Sequence, residues 1–96
     1  MTSPHPNASI PIVFLPGEAG KVPPASLRRK IEQLVRGRLL LPSPEPYRQA
    51  QVELKYDAQG EPSQIVAMLH RTHTYTLDIV LVDIDRHLNV RSIQGP

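Results

Sequence analysis

Apolar residues between Ser26 and Arg36 recur at the spacing of one face of a helix. That face consists of Leu27, Ile31, Leu34 and Val35. The spacing predicts an amphipathic helix with a polar opposite side. Ser26 suits its N-cap because a hydroxyl can accept a bond from a free backbone N–H, and Gly37 suits the left-handed residue that commonly follows a last turn.

Downstream of this helix, apolar and polar residues alternate with a period of two, the pattern of strands with one buried face. We predict strands over 50–56, 65–70, 75–84 and 88–93. Turn residues at 57–62 and 85–87 would connect consecutive strands into an antiparallel meander. A short strand or arm over 12–15 lies between Pro11 and Pro16, which suits a sheet edge because proline cannot donate to a ladder.

These elements predict an α+β fold in which one amphipathic helix packs on a three- to four-stranded antiparallel β-meander, with an N-terminal strand or arm. The chain has 96 residues, and a chain this short cannot divide its buried surface between two cores. We therefore expect a flexible tail over residues 1–9 and a single domain over residues 10–96.

The strand predicted over 75–84 is apolar on both faces. One face carries Tyr75, Leu77, Ile79 and Leu81, and the other carries Val80, Val82 and Ile84. Because a single helix covers only one face of a sheet, the second set needs a cover of its own. Either the arm over 12–15 supplies that cover, or Val80, Val82 and Ile84 form an interface with a partner protein or a second copy.

The composition excludes several classes of chemistry. The chain has no cysteine, which rules out disulfides, thiolate catalysis and cysteine-ligated metals. One Phe, three Tyr and no Trp leave few candidates for a base-stacking platform. The N-terminus lacks the positive flank and apolar run of a signal peptide, and no apolar stretch is long enough to span a bilayer. We expect a cytoplasmic protein without a membrane role.

Basic residues are concentrated in the first half of the chain. Residues 1–44 contain six Lys or Arg against two Glu, although the formal net charge of the whole chain is only +2. Four of these cations lie on or next to the predicted helix and form a candidate anion-binding cluster: Arg28, Arg29, Lys30 and Arg36. Such a cluster could neutralise phosphates. However, Glu32 lies four residues from both Arg28 and Arg36 and neutralises part of the positive charge within the helix.

Two groups of residues have the composition of a metal site. His70 and His73 are three residues apart, a spacing that chelates only on a helix, and on a strand they point to opposite faces. Asp83, Asp85 and His87 would share a face only if the strand continued through them, whereas their sequence is typical of a hairpin turn in which Asp bonds its own backbone. We predict no metal ligands, no cofactor and no catalytic residues.

Two further features have alternative interpretations. Gly17 to Lys21 lies between a strand and a helix, like a phosphate-binding loop, but only two residues separate its glycines and Val22 follows the lysine, so we interpret it as a turn. Asp78 falls on the face of Val80 and Val82, so it lies at the sheet margin or pairs with a cation such as an arginine.

Tyr75 to Gly95, an alternating strand, an Asp-containing turn and a return strand, resembles the hairpin of PepSY-type domains, although Arg86 and His87 stand where those domains normally carry a glycine. The resemblance covers about a fifth of the chain and implies no activity. Our first hypothesis is therefore a small non-catalytic protein-interaction module, an accessory or regulatory subunit or a homodimer. The alternatives are a nucleic-acid-binding protein that uses the basic helix, and a small-ligand carrier or enzyme with a site between helix and sheet.

Overall fold

The fold consists of five strands and one helical segment, seen in a computed structural model that describes residues 5–17 and 20–95. The strands are β1 (Ile12–Phe14), β2 (Tyr47–Tyr56), β3 (Pro62–Arg71), β4 (Leu77–Ile84) and β5 (Val90–Gln94). The helix α1 (Ala25–Val35) continues directly into a π-helical segment (Arg36–Leu40).

The strands form one sheet in the order β1-β2-β3-β4-β5. β2 to β5 are an antiparallel meander, as the alternating pattern predicts, while β1 pairs parallel with β2 at the sheet edge. The α+β fold with a single helix on the sheet is thus confirmed. The small difference is that the predicted arm joins the sheet as a strand, so the sheet has five strands and is mixed.

One face of the sheet, here called the inner face, packs against the helical segment. From the helical side, Ile31, Val35, Leu39 and Leu40 are buried in the same cluster as the inner-face residues. The sheet contributes Ala50, Val52 and Leu54 from β2, Ile65, Ala67 and Leu69 from β3, and Val80, Val82 and Ile84 from β4. Aliphatic side chains from three adjacent strands therefore form most of the core.

The helix boundaries differ from the prediction at both ends. α1 begins at Ala25, one residue before Ser26, with Pro24 in the N-cap position and no side-chain cap. Gly37 does not end the helix: it lies inside the π-helical segment, where the Leu41 N–H donates to the Arg36 carbonyl at 2.9 Å. This wider turn changes the phase of the helix, so that Leu39 and Leu40 are buried while Arg38 stays exposed.

Both predicted hairpin turns are present and are built alike. In the β2–β3 turn Asp57 Oδ1 accepts the backbone N–H groups of Gln59 and Glu61, and in the β4–β5 turn Asp85 Oδ1 accepts those of His87 and Asn89. The fourth residue of each turn has positive φ, at 79° in the first and 66° in the second. It is Gly60 in the first turn and Leu88 in the second, where burial of the leucine side chain opposes the backbone strain.

The N-terminal segment is anchored at Asn7, within the flexible tail predicted over residues 1–9, although Ala8 and Ser9 are exposed; Met1 to Pro4 lie outside the described residues. Asn7 is fully buried. Its amide Nδ2 donates to the carbonyls of Leu40 and Glu45 at 3.0 and 2.9 Å, and its Oδ1 accepts the Tyr47 N–H at 2.9 Å. One side chain thus joins the N-terminus, the end of the helical segment and the start of β2.

We expect Asn7→Ala to lower the free energy of unfolding by roughly 2–4 kcal/mol, because it leaves buried backbone groups of three segments without a partner. Chemical denaturation measures the loss. Ser9→Ala is the control, since Ser9 is exposed two residues away. If Asn7→Ala changed stability no more than Ser9→Ala does, the N-terminal segment would not be part of the domain.

Candidate functional site

The face of the sheet opposite the helix, here called the outer face, carries a contiguous group of apolar side chains. Val66 and Met68 on β3 pair directly with Leu81 and Ile79 on β4. Ile79 is 51% exposed, and the other three are half-buried. Leu77, 38% exposed, extends the group along β4. Val66, Met68, Ile79 and Leu81 form the apolar centre of a surface that the helical segment does not cover, and Leu77 lies at its edge.

Polar side chains surround this apolar centre on the same face. At one end Asp83 accepts bonds from Gln64 Nε2 at 2.9 Å and Ser92 Oγ at 2.8 Å, and these two bonds, from Gln64 first, hold the pKa of Asp83 below its ordinary value. Toward the other end His70 Nε2 and Gln51 Oε1 are 2.9 Å apart. The outer face is therefore an apolar centre with a hydrogen-bonded polar rim.

Val80, Val82 and Ile84, the predicted partner interface, lie in the core at 3%, 0% and 4% exposure. The sequence correctly indicated that β4 is apolar on both faces, but the assignment of the faces was wrong. Because Val80 pairs with Ala67, which pairs with Val52, these alternating residues share the face that the helix covers. The open face belongs instead to Leu77, Ile79 and Leu81.

The four cations of the predicted anion-binding cluster have different surroundings. The Arg36 guanidinium donates to the carbonyls of Asn7, Ala8 and Ile10 at 3.0–3.2 Å, so it fixes the N-terminal segment to the helix. Arg28 Nη1 donates to the Pro23 carbonyl at 2.6 Å, near the start of the helix. Arg29 and Lys30 are exposed.

A cleft of about 440 Å³ lies between the Pro42–Pro46 connector and the inner face, near the end of the helical segment. Its floor includes Leu69 and Val80, and its polar wall is a network around Asp78.

Asp78 is paired with an arginine, one of the two outcomes that its position predicted. Its carboxylate accepts bonds from Arg71 Nη2 and Nε at 3.0 and 3.2 Å and from the Tyr47 hydroxyl at 2.7 Å. Arg71 first, and Tyr47 second, hold the pKa of Asp78 below its ordinary value. Burial, followed by the bond to Asp78, raises the pKa of Tyr47. Arg71 also lies 3.5 Å from Glu45, so both of its charged neighbours are carboxylates.

A second cleft, of about 700 Å³, lies between the two hairpin turns. Asp57 and Asp85, which line it, use their carboxylates to cap the turns, as the turn interpretation of Asp85 predicted. His73 lies in an exposed loop. Among residues 5–17 and 20–95 there is no group of three or more His, Asp or Glu side chains arranged to hold a metal ion.

The loop between β1 and α1 is a turn over the part that the structure describes. Gly17 and Gly20 have φ of 64° and 68°, and the Gly20 N–H donates to the Gly17 carbonyl at 3.1 Å. Glu18 and Ala19 lie outside the described residues.

Comparison with known protein families, curated proteins and solved structures finds no match. The likeness of the β4–β5 hairpin to PepSY-type domains therefore identifies no family. None of the described helices has the length and apolarity needed to cross a membrane.

We expect Asp78→Asn to lower the free energy of unfolding at pH 7 by roughly 1–3 kcal/mol, because the ionised carboxylate accepts bonds from a charged donor. Since the folded-state pKa of Asp78 lies below the unfolded value, its contribution is present above about pH 4 and lost as pH falls through the folded pKa. The difference in stability between wild type and variant should therefore be constant from pH 7 to 5 and shrink below pH 4.

Urea denaturation at a series of pH values measures this difference. Glu61→Gln serves as the control for removing an exposed carboxylate elsewhere in the fold. A wild-type-to-variant difference for Asp78→Asn that grew on acidification would contradict the ion-pair assignment.

Proposed function

We propose that this chain is a small non-catalytic protein-interaction module, an accessory or regulatory subunit that binds a protein surface through its outer face. The partly exposed apolar centre of Val66, Met68, Ile79 and Leu81 carries this proposal. Soluble monomers rarely expose large contiguous apolar patches, and such patches commonly mark interfaces.

The distribution of charge on the outer face supports the same function. Its centre is aliphatic, whereas Glu53, Lys55 and Asp83 lie toward one end and the amides of Gln51 and Gln64 lie at the margin. An apolar centre with a polar rim and few central charges is the composition of protein interfaces. The partner's matching surface should accordingly be apolar and low in charge.

The polar groups of the two clefts support a non-catalytic role. In the cleft beside the connector, Asp78 accepts three bonds from Arg71 and Tyr47, and in the cleft between the turns Asp85 caps its own loop. These carboxylates hold elements of the fold in place, and their pKa values are lowered, away from the range that suits a general base at neutral pH.

Leu81→Glu and Val82→Glu provide a matched test, since the two residues are adjacent in β4 and face opposite sides. We expect Leu81→Glu to stay folded and to lose binding, because Leu81 is only half-buried and the carboxylate of the longer side chain can reach water until a partner covers it. Val82→Glu should unfold the protein, because Val82 is fully buried and a carboxylate cannot be accommodated there.

Circular dichroism measures folding, and binding is measured by sedimentation and by recovery of partner proteins with tagged protein from its native cell. If Leu81→Glu kept every association of the wild type, the outer face would not be the interface.

Nucleic-acid binding through the helix is the second candidate, favoured by the exposed cations Arg29 and Lys30. It is tested by the double variant Arg29→Ala, Lys30→Ala, because Arg36→Ala would also release the N-terminal segment. If both cations contact phosphates, the slope of log affinity against log salt should fall by roughly 2. Binding to DNA and RNA fragments at several salt concentrations measures the slope, and no binding at low salt would exclude this candidate.

A further inference from the structure

We infer that the partner of the outer face is a second copy of this chain, and that the two copies pack face to face about a two-fold axis that runs parallel to the strands between β3 and β4. This inference rests on the proposed function, in which the outer face is an interface. It adds the identity of the partner and the orientation in which it binds.

The cross-strand register groups the side chains of the outer face into four levels. Each level is a row of residues that lie side by side across the strands. The first level contains Lys55, Gln64, Asp83 and Ser92, and the second contains Glu53, Val66, Leu81 and Gln94. The third contains Gln51, Met68 and Ile79, with Val13 from the edge strand, and the fourth contains Gln49, His70 and Leu77. The apolar centre thus occupies the two middle levels.

A two-fold interface must be self-complementary, because the same surface is used by both copies: if one residue contacts a second residue of the other copy, that second residue contacts the first in return. Rotation about the inferred axis places β3 over β4 of the second copy and keeps every level opposite itself. Val66 then lies over the second copy's Leu81, and Met68 lies over its Ile79. Each contact occurs twice, so the four central residues of one copy lie against the same four residues of the other.

The positions of the charged residues favour this orientation over the alternative one. In the alternative the strands of the two copies are also aligned, but the two-fold axis runs across them. There the levels are reversed, and Asp83 would lie over the second copy's Leu77, with His70 beside it but no lysine or arginine on that level to pair with the carboxylate. In the inferred orientation Asp83 lies over Gln64. Lys55 then lies over Ser92 of the second copy, beside Asp83, where its long side chain can form an ion pair at the rim.

The size of the contact in this orientation is modest. β2 of one copy lies over β5 of the other, and β1 lies outside the contact. With strands about 4.8 Å apart, the overlap of eight residues between β3 and β4 and of five between β2 and β5 gives roughly 400 Å² per copy. The total of about 800 Å² lies at the low end of specific interfaces. Aligned sheets of this kind pack about 10 Å apart.

Because the chain has no cysteine, a single introduced cysteine can report the orientation of the two copies through cross-linking. Gln64 and His70 lie on the outer face of β3, six residues and therefore about 20 Å apart. In the inferred dimer Gln64→Cys lies close to its own symmetry copy, and so does His70→Cys, so each variant alone should cross-link with a short bis-maleimide. Gln33→Cys, on the exposed side of the helix, is the control and should not cross-link.

Sedimentation of the wild type should give twice the mass of one chain, and Leu81→Glu should weaken the dimer at least about 30-fold, as expected for a central interface residue. Cross-linking only in a mixture of Gln64→Cys with His70→Cys would overturn the orientation. A wild type that sediments as a monomer, with no cross-link in either variant, would overturn the second copy as partner. After that result, the proposed function would still hold if Leu81→Glu abolished the binding of a different protein. It would be wrong if Leu81→Glu abolished no protein binding at all.

Discussion

The surface of this protein depends on the fact that, in the described part of the chain, only one face of its sheet is covered. One helical segment, residues 25–40, packs on a sheet of five strands and leaves the other face open. Burial of apolar side chains is the main favourable contribution to folding, and here the buried side chains of β2 to β4 all lie on the inner face. The helical segment is long enough to cover that face because the π-helical turn brings both Leu39 and Leu40 into the core. No helix among residues 5–17 and 20–95 lies on the outer face, and its central strands are nevertheless apolar.

Two polar side chains hold this arrangement together at its margin. Asn7 bonds the backbone of the π-helical segment, the connector and β2, and Arg36 bonds three carbonyls of the N-terminal segment. Backbone groups that would otherwise lack partners at the junction of helix, connector and strand are thereby satisfied. The basic helix therefore has a structural role as well as an exposed charged side.

Much of the fold follows from periodicity along the chain, but the choice of face does not. Alternation shows that β4 is apolar on both sides, yet whether Leu81 or Val82 faces the helix depends on the register with β3. In β2 the sequence alone identifies the buried face, because Leu54 and its alternating neighbours are apolar while the other face is polar. Val82 pairs with Ile65, which pairs with Leu54, so Val82 lies on that same buried face. Reading the face across strands, rather than along β4 alone, would have given the correct assignment.

The features that sequence reasoning missed depend on contacts between distant residues. Arg36 and Asn7 are 29 residues apart, and no local pattern marks an arginine that binds carbonyls rather than an external anion. The π-helical turn was missed for a different reason, since the helix prediction assumed a constant 3.6 residues per turn. In contrast, pairing of Asp78 with an arginine was foreseeable, because a carboxylate on a buried face requires such a partner.

The parallel pairing of β1 has a consequence for the order in which the chain folds. The meander from β2 to β5 consists of neighbouring hairpins, whose contacts are close in sequence, whereas Ile12 of β1 pairs with Ala50 across the whole helix and connector. Closing that long loop costs conformational entropy before any β1 hydrogen bond forms, so β1 should join a meander that is already assembled. The same strand, only three residues long and at an edge, is then the part of the sheet that opens with the least free energy.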